Sequence, residues 1–359
     1  MEIGVPKETK DREFRVGLSP NSVRTLSQNH TVFIETQAGV GSSFSDLEYE
    51  RAGAKIVNSS EAAWDKDLVV KVKEPLPKEY QYLKPQQLLF TYLHLAADRD
   101  LTKALIASKT TAIAYETVAL DNGSLPLLTP MSVIAGRLSV QFGARYLEKQ
   151  QGGRGVLLGG VPGVRPGNIA ILGGGVVGTE AAKIAIGMGA RVQIIDINVE
   201  RLAYLENLFG SRVELLYSNP ATVETAVIDA DLLIGAVLVV GKKAPILVSR
   251  NLVSKMRSGS VIVDVAVDQG GCIETLRPTS HSQPTYVEEG VVHFGVPNMP
   301  GAVPWTASQA LNNSTLPYVT QLANSGIAAL ETNKALAKGL NVYNGKIVHP
   351  AVKDVFPNL

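Results

Sequence analysis

Residues 168–178, Asn-Ile-Ala-Ile-Leu-Gly-Gly-Gly-Val-Val-Gly, decide the fold of this 359-residue chain. The apolar run 169–172 is typical of a buried strand, and the Ala-rich apolar segment 179–188 predicts a helix. Between them, three glycines fill the positions of a G-x-G-x-x-G turn: Gly173, Gly175 and Gly178. The first glycine allows the tight turn, the second lets backbone approach a pyrophosphate, and the third permits close packing of helix on strand. Strand, turn and helix together predict a dinucleotide-binding unit.

A second strand-like segment, 191–195, ends on Asp196. This acid follows Gly178 by 18 residues, near the roughly 20 typical of the carboxylate that binds a ribose 2′-hydroxyl. A carboxylate there repels a 2′-phosphate, so the sequence favours NAD over NADP as the cofactor. Glycine-rich turns end many strands, but here strand, helix, second strand and acid all occur in the order that the motif requires.

The composition indicates a two-domain protein that works in water. At roughly 150 residues a domain, 359 residues predict about two. The net charge of +1 argues against a nucleic-acid partner, and the single cysteine, Cys272, fits a reducing compartment. The uncharged run 232–241 is far shorter than the ~18 residues of a membrane span, and charges near residue 1 do not suit a secretory signal. We therefore expect a cytoplasmic protein with neither a nucleic-acid nor a membrane partner.

The first 130 residues alternate strand-like and helix-like segments of their own. Strands are predicted over 3–5, 32–35, 68–72, 88–93 and 111–115. Helices are predicted after Ser19-Pro20, where a serine cap precedes proline, and after Asp98. This alternation predicts a parallel sheet, but no G-x-G-x-x-G follows its first strand. We therefore expect this part of the chain to bind something other than the dinucleotide.

The rest of the chain predicts how the domains are joined. Residues 131–150 carry apolar residues at helical spacing, which predicts a long linking helix, and three further strands are predicted over 231–239, 260–267 and 291–296. The glycine-rich stretch 152–167 is expected to be a connecting loop near a cleft, and a polar, helical tail from about 306 is too short for a third domain.

The predicted architecture is α/β, with two Rossmann-like doubly wound parallel sheets and a cleft between them. Residues 1–130 and 306–359 form a substrate domain, and an NAD-binding domain of residues 131–305 is inserted into it.

Several polar residues lie near the ends of predicted strands, where open α/β sheets bind their ligands: Arg15, Lys73, His94, Asp268 and Asn298. Arg15 and Lys73 could each be an ordinary solvated side chain. His94 has the pKa range for proton transfer, but an equal alternative is a core histidine with satisfied hydrogen bonds. Asp268 competes with Asp264, and the later residue, beside Gln-Gly-Gly, is better placed to line a cleft.

The sequence offers no metal site and no hydrolase signature. The five histidines are scattered, and neither His-Glu-x-x-His nor Cys-x-x-Cys spacing occurs. There is no G-x-S-x-G elbow. We therefore expect no metal ion and no nucleophilic hydrolysis.

Seven short blocks, spread in order over the chain, carry a family resemblance. They are Glu-Thr-Lys-Asp-Arg-Glu-Phe-Arg-Val (8–16), Val-Lys-Glu-Pro (72–75), Phe-Thr-Tyr-Leu-His-Leu-Ala (90–96), Pro-Met-Ser (130–132), Gly-Gly-Val-Pro-Gly-Val (159–164), Asp-Gln-Gly-Gly-Cys (268–272) and Pro-Asn-Met-Pro (297–300). These blocks resemble those of the NAD-dependent L-alanine dehydrogenases, most closely the cyanobacterial type. The resemblance implies reversible oxidative deamination of L-alanine to pyruvate and ammonium, with NAD as cofactor, by a homohexamer.

The resemblance also implies roles for the candidate residues. Arg15 would hold the substrate carboxylate with a bidentate fork, and Lys73 would bind and polarise the carbonyl oxygen of pyruvate. His94 and Asp268 would be the acid/base groups, because water must attack an iminium and the carbinolamine must collapse; which of them takes which proton stays open. Besides the three glycines and Asp268, the residues implied to line the NAD site are Ser132, Val176, Val177, Asp196, Arg201, Ser218, Val237, Leu238, Val265, Ala266, Val267, Arg277, Val296, Asn298 and Met299.

Two other hypotheses stay open. The NAD-binding subunit of proton-translocating nicotinamide transhydrogenase is similar in fold and in much of its sequence, and would make this chain part of a membrane machine. A non-catalytic NAD-sensing module would bind the cofactor without turnover. The joint presence of Arg15, Lys73 and His94 favours the dehydrogenase, because neither alternative needs all three.

Overall fold

A computed structural model of the protein describes residues 1–237, 244–267 and 270–359. The chain divides into two compact units, the first formed by Met1–Met131 with Val303–Leu359 and the second by Ser132–Ala302. The strands within the described ranges are β1 (Glu2–Val5), β2 (Thr31–Glu35), β3 (Lys55–Val57), β4 (Leu68–Val70), β5 (Leu88–Thr91), β6 (Thr111–Ala114), β7 (Asn168–Leu172), β8 (Arg191–Asp196), β9 (Glu214–Tyr217), β10 (Leu232–Gly235), β11 (Val261–Asp264), β12 (Thr285–Glu288), β13 (Val291–Phe294), β14 (Leu340–Tyr343) and β15 (Lys346–Ile347).

The α-helices lie mostly between these strands. Within the same ranges they are α1 (Pro20–Leu26), α2 (Asp46–Arg51), α3 (Ser60–Trp64), α4 (Arg99–Ser108), α5 (Thr129–Tyr146), α6 (Val176–Gly187), α7 (Val199–Phe209), α8 (Pro220–Asp229), α9 (Arg250–Val253), α10 (Pro304–Ser325), α11 (Ala329–Thr332), α12 (Lys334–Lys338) and α13 (Pro350–Val355). Alternation of strands and helices yields parallel sheets covered by helices, which is the α/β class that the sequence predicted.

The sheet of the first unit has the strand order β15-β14-β6-β5-β4-β1-β2-β3. Strands β1 to β6 pair in parallel, so their carboxyl ends lie at one edge. Ile3 pairs with Val32 on one side and Leu68 on the other, and all three side chains are fully buried. The winding reverses between β1 and β4, and such a switch point is where open α/β sheets form a ligand crevice.

The C-terminal tail corrects one expectation. It was predicted to be polar and helical, but β14 pairs antiparallel with β6, and β15 pairs antiparallel with β14. These strands are too short for a clear alternating pattern, and Val342 is fully buried only because it packs in the sheet core. Strand β3 was not predicted either, because its three residues are also too few to show an alternating pattern.

Several predicted strands also end earlier in the structure. The segment predicted over 88–93 ends as a strand at Thr91, although Tyr92 and Leu93 are buried. An apolar run does not distinguish a strand from the buried loop that follows it. His94 therefore lies three residues beyond its strand, in a loop.

The sheet of the second unit has the order β12-β13-β11-β10-β7-β8-β9. Strands β7 to β11 and β13 run parallel, and β12 is an antiparallel edge strand. Strands β9 and β12 were not predicted, and the strands predicted over 231–239, 260–267 and 291–296 are shorter, as β10, β11 and β13. The winding here reverses between β7 and β10, at the predicted dinucleotide turn.

Helix caps agree with the sequence. The hydroxyl of Ser19 accepts a hydrogen bond from the backbone of Ser22, with Pro20 at the first position of α1. The Asp98 carboxylate caps α4 in the same way. Helix α5 begins at Thr129 and ends at Tyr146, earlier at both ends than the predicted 131–150. The stretch 152–167 forms turns and one small bridge between Val161 and Val164.

Candidate functional site

The glycine turn after β7 has the geometry that a dinucleotide needs. Gly173 has φ +100°, and a Cβ there would lie 2.6 Å from the carbonyl oxygen of Ala236. A Cβ on Gly178 would lie 1.9 Å from the carbonyl oxygen of Gly173, whereas a Cβ on Gly175 would meet nothing within 4 Å. The turn thus requires glycine at position 173, and close packing requires it at position 178. Gly175 leaves open space before α6. The first N–H groups of that helix have no side-chain cap from Gly175 and can receive a phosphate.

Asp196 and Arg201 hold this turn from two sides. Oδ2 of Asp196 accepts a hydrogen bond from the Gly174 N–H at 2.6 Å, and Oδ1 accepts one from the Asn198 N–H at 2.8 Å. Arg201 Nε donates to the Gly174 carbonyl oxygen at 2.5 Å, and Nη2 donates to Thr179 Oγ1 at 2.7 Å. The acid therefore lies at the carboxyl end of β8, beside the turn, and its carboxylate also fixes the Gly174 peptide.

The other residues expected at the NAD site fall into a few places. Val176 and Val177 begin α6. Many follow the carboxyl ends of parallel strands in the second unit, which share one edge of the sheet: Ser218, Val237, Val265, Ala266, Val267, Val296, Asn298 and Met299. Ser132 lies within α5, and Arg277 is exposed with its guanidinium 4.2 Å from the ring centroid of Tyr286. Leu238 and Asp268 lie outside the described residues.

Asp264, the competitor of Asp268, has a structural role. Its side chain is fully buried at the end of β11. Oδ1 accepts from the Ala266 N–H and Oδ2 from the Cys272 N–H, both at 2.9 Å. A carboxylate that closes the loop on both sides in this way is part of the fold, so Asp268 remains the candidate for chemistry.

Arg15 lies in the loop between β1 and α1, at the switch point of the first unit, and is only 2% exposed. Its Nε donates to Glu13 Oε1 at 2.7 Å, and its Nη2 donates to Glu13 Oε2 at 2.6 Å. Nη1 lies 3.1 Å from Met131 Sδ. The family resemblance implies that the bidentate fork of Arg15 binds the substrate, whereas here one edge of the guanidinium binds Glu13. The second edge, between Nη1 and Nη2, points away from that carboxylate.

The loop of Arg15 is held by two buried side chains of α10. The Val16 N–H donates to Ser308 Oγ at 3.1 Å, and the Ser19 N–H donates to Asn312 Oδ1 at 2.7 Å. Sequence reasoning missed both residues, because nothing local marks a helix far along the chain as the support of this loop.

A buried charge cluster braces the segment after β4. Lys71 is fully buried, and its Nζ lies 3.2 Å from Glu8 Oε2 and 3.1 Å from Glu79 Oε1. Glu8 Oε1 also accepts from the Val72 N–H at 2.7 Å and the Lys73 N–H at 3.3 Å. No local sequence pattern predicts this cluster, because Glu8 and Lys71 are 63 residues apart. Its effect is to tie the chain after β1 to the chain that carries Lys73.

The two lysines of this segment differ in their electrostatics. Burial lowers the pKa of Lys73, and the positive charge of Arg15 lowers it further. Burial acts in the same direction on Lys71, but the carboxylates of Glu8 and Glu79 outweigh it and leave the pKa of Lys71 raised. Lys71 is thus a paired structural cation. Lys73 is an amine held partly against its charged form, a feature common at functional sites.

His94 is not a core histidine. Its side chain is 44% exposed, and its backbone is left-handed, with φ +50°. The backbone N–H donates to Glu116 Oε1 at 2.6 Å, and the imidazole stacks parallel to Tyr92 with the ring centroids 6.0 Å apart. Tyr92 is itself fixed by donating to the Leu127 carbonyl oxygen at 2.6 Å. The loop after β5 therefore presents the imidazole outward on a rigid support.

Comparison with known families assigns nearly the whole chain to one family. The model of the alanine dehydrogenase/PNT N-terminal domain matches residues 4–135, and that of the C-terminal domain matches residues 139–350. The chain belongs to the alanine dehydrogenase/PNT family. Its resemblance to this family, first read from seven sequence blocks, is confirmed.

Relatives in this alanine dehydrogenase/PNT family match over almost their full length. The alanine dehydrogenase of Staphylococcus haemolyticus is 55% identical, with 99% of this chain and 96% of the relative covered. Alanine dehydrogenase 2 of Staphylococcus aureus strain USA300 is 54% identical, with the same coverage.

Solved structures agree with the family and the α/β fold. An L-alanine dehydrogenase structure superposes with a TM-score of 0.98 at 73% identity, covering 100% of this chain and 99% of the other. A transhydrogenase from Sinorhizobium meliloti gives a TM-score of 0.83 at 24% identity, covering 98% and 100%, and shows a shared fold. Within the described residues, no helix of this family member has the length and apolar character to cross a bilayer.

Proposed function

We propose that this chain catalyses the reversible, NAD-dependent oxidative deamination of L-alanine to pyruvate and ammonium, as a cytoplasmic homohexamer. Relatives of that name matching over nearly the whole chain support the reaction. The observation that carries the proposal is that Arg15, which is buried, and Lys73 follow the carboxyl ends of β1 and β4, the neighbouring strands between which the winding of the first unit reverses. A guanidinium beside an amine suits a small acid whose carboxylate and carbonyl groups are adjacent.

In this proposal Arg15 and Lys73 hold the substrate. The Nη1–Nη2 edge of Arg15 takes the carboxylate, while Glu13 keeps the adjacent Nε–Nη2 edge. Lys73 donates to the carbonyl oxygen of pyruvate. An incoming carboxylate favours the charged form of a nearby amine, so substrate binding moves the pKa of Lys73 back toward its ordinary value. The lysine is then protonated when a carbonyl is there to polarise.

His94 and Asp268 are proposed to move protons. The exposed imidazole of His94 can exchange protons with water, and the hydrogen bond from its backbone to Glu116 fixes the loop on which it turns. Asp268 is the second acid/base group, and either residue can serve addition of water or its loss. Tyr92, stacked on His94, limits the orientation of the ring.

NAD is the proposed cofactor, and when bound it would supply the acceptor for the hydride of the substrate. The glycine turn would receive the pyrophosphate through Gly173, Gly175 and the N-terminus of α6. Asp196 would accept hydrogen bonds from a ribose hydroxyl. The residues assigned to NAD by the family resemblance are proposed to complete the site.

The test is NADH oxidation by the purified protein with ammonium and pyruvate, compared with glyoxylate and 2-oxobutyrate. We expect the highest kcat/KM with pyruvate and no comparable rate when ammonium is omitted. NADH binding without turnover would instead indicate a sensing module. Hydride exchange between two nicotinamide dinucleotides, without any use of pyruvate, would indicate the transhydrogenase subunit.

A further inference from the structure

We propose that Glu13 is a positioning residue that sets the orientation of Arg15 for the substrate carboxylate. The inference rests on the proposed function, because it assumes that Arg15 binds that carboxylate. Glu13 was not among the residues that the sequence singled out, and it acts here through Arg15.

The geometry is that of a clamp closed on one edge of the guanidinium. Two parallel hydrogen bonds, of 2.7 and 2.6 Å, join Nε and Nη2 of Arg15 to the two carboxylate oxygens of Glu13. The backbone N–H of Arg15 also donates to Glu13 Oε1, at 3.1 Å. One carboxylate therefore fixes both ends of the arginine, its peptide and its guanidinium plane.

Burial makes this clamp rigid. Glu13 is 5% exposed and Arg15 is 2% exposed. A buried ion pair of this kind contributes little net stability compared with apolar side chains of the same volume, because both charges lose their hydration. Orientation is a better account of the pair, since a long side chain that is already fixed loses less conformational entropy when a ligand binds.

The clamp also determines how the substrate is recognised. Glu13 offsets much of the charge of Arg15, so the carboxylate is selected mainly by the direction of the Nη1 and Nη2 hydrogens. Replacing Glu13 by glutamine conserves the shape but turns one of the two acceptors into a donor that faces Nη2. The variant Glu13→Gln therefore disturbs the orientation of Arg15 while it keeps the guanidinium charge and removes the carboxylate that offsets it. Weaker binding of pyruvate then cannot result from a loss of positive charge.

The experiment is a double-mutant cycle with Glu13→Gln, Arg15→Met and the double variant. The dissociation constant of pyruvate is measured by calorimetry in the presence of NAD, and kcat and KM are measured in the amination direction. We expect Glu13→Gln to weaken pyruvate binding roughly 10- to 100-fold, the size of a lost charge-assisted hydrogen bond. Its kcat should change far less, and its affinity for NADH should stay at the parent value.

Two further variants separate positioning from folding. Glu13→Asp keeps the charge with a shorter reach and should restore part of the affinity for pyruvate. Glu2→Gln is the matched control, because Glu2 is the partner of Lys66 at the amino end of β1, away from the carboxyl ends that carry Arg15. It should leave the pyruvate constant unchanged.

The double-mutant cycle distinguishes an effect of Glu13 that acts through Arg15 from an effect that is independent of Arg15. If Glu13 acts through Arg15, the double variant binds pyruvate no more weakly than Arg15→Met alone. Unchanged affinity in Glu13→Gln, or a full additional loss in the double variant, would overturn the proposal. A parent protein that binds pyruvate yet has no turnover with ammonium would refute the proposed function, while the binding constants would still decide the role of Glu13. A parent that does not bind pyruvate would overturn both.

Discussion

The two sheets have the same winding around their first strands, and yet the loops at their switch points have opposite chemistry. After β7 the chain makes a turn of glycines, and α6 follows at Val176. After β1 the chain runs through a long loop with Glu8, Glu13 and Arg15 before α1 begins at Pro20. One crevice thus offers backbone N–H groups and the other offers charged side chains. Topology supplies a place to bind, and the length and composition of the first loop decide what binds there.

Helix geometry explains the difference. A helix that begins directly after its strand brings its free N–H groups to the crevice, which suits the spread charge of a pyrophosphate. Helix α1 begins far from the end of β1, and Pro20 at its first position has no N–H to offer. A small carboxylate must then be recognised by side chains, which need supports of their own. Glu13 and the α10 residues Ser308 and Asn312 supply that support.

The largest effect is expected from His94→Ala, which tests whether side chains of the first unit carry out proton transfer while the glycine turn of the second unit binds the dinucleotide. Turnover should fall by roughly 10²- to 10⁴-fold, the usual contribution of a general acid or base. The dissociation constant of NADH should not change, because the glycine turn lies in the other unit. Steady-state rates and NADH titration on one preparation check both statements. His30→Ala is the matched control, since His30 contacts Asn324 rather than any candidate residue. If the turnover of His94→Ala lies within a few-fold of the parent rate, His94 is not the proton-transfer group of the first unit.

The next test contrasts two lysines two residues apart. Lys71→Met should lower the free energy of unfolding by about 3–5 kcal/mol, because Glu8 and Glu79 would be left buried without their cation. Lys73→Met should instead raise it while abolishing activity, because the folded protein disfavours the ammonium of Lys73. Urea denaturation of both variants is the measurement.

The pH dependence of the Lys73→Met effect has a definite sign. The pKa of Lys73 is lowered in the folded state from an ordinary value of 10.5. Its charge therefore costs stability in full below the folded pKa, and this cost fades as the pH rises toward 10.5. The gain from Lys73→Met should be greatest near neutral pH and shrink in alkali. A gain that grows with pH would show that the lysine is paired in the folded state.

At the glycine turn, Gly178→Ala and Gly187→Ala form a matched pair on α6. The first places a Cβ 1.9 Å from the Gly173 carbonyl oxygen, so we expect a loss of about 1–3 kcal/mol in stability and weaker NADH binding. The second meets nothing within 4 Å and should be neutral or stabilising by up to ~1 kcal/mol. Thermal unfolding and NADH titration distinguish them. If Gly178→Ala and Gly187→Ala had the same stability and the same affinity for NADH, close packing at Gly178 would not determine the shape of this crevice.

The smallest effect is expected at Asp196, whose carboxylate lies beside the glycine turn. Asp196→Asn should narrow the preference for NAD over NADP by roughly tenfold, because about 1.4 kcal/mol of charge repulsion is removed. Asp196→Ala should narrow the ratio too, but with lower activity on NAD, since it also leaves the Gly174 N–H without its acceptor. Rates with both cofactors are compared. Equal use of NAD and NADP by the parent would refute the assignment of Asp196.

The dinucleotide turn could be predicted from sequence because its requirements are local. Gly173 has a positive φ, and Gly178 packs on the carbonyl oxygen of Gly173 five residues earlier. The strand and helix around this turn show their own patterns. The Ser19 and Asp98 caps were predictable for the same reason.

The supports of the other crevice could not be predicted in that way. Glu8 and Lys71 are 63 positions apart, and Ser19 and Asn312 are 293 apart. A lone glutamate or asparagine in the sequence gives no sign of such a partner. Even Glu13 and Arg15, two residues apart, gave no indication of which edge of the guanidinium is occupied, because that depends on side-chain orientation. The identity of Arg15, Lys73 and His94 as candidates came from strand ends and resemblance, but their supports came only from the fold.

The late pairing of β14 with β6 also has a consequence for how the protein is made. A ribosome delivers about 5–20 residues each second, so β6 emerges well before the segment Leu340–Tyr343 that completes its sheet. The intervening Ser132–Ala302 is continuous in sequence and can fold during that interval. Until Leu340–Tyr343 emerges, β6 is an open sheet edge that can pair with a neighbouring nascent chain. Crowded synthesis on polysomes should therefore favour aggregation of this protein until Leu340–Tyr343 has emerged, and a chaperone that covers β6 should be of most benefit in that interval.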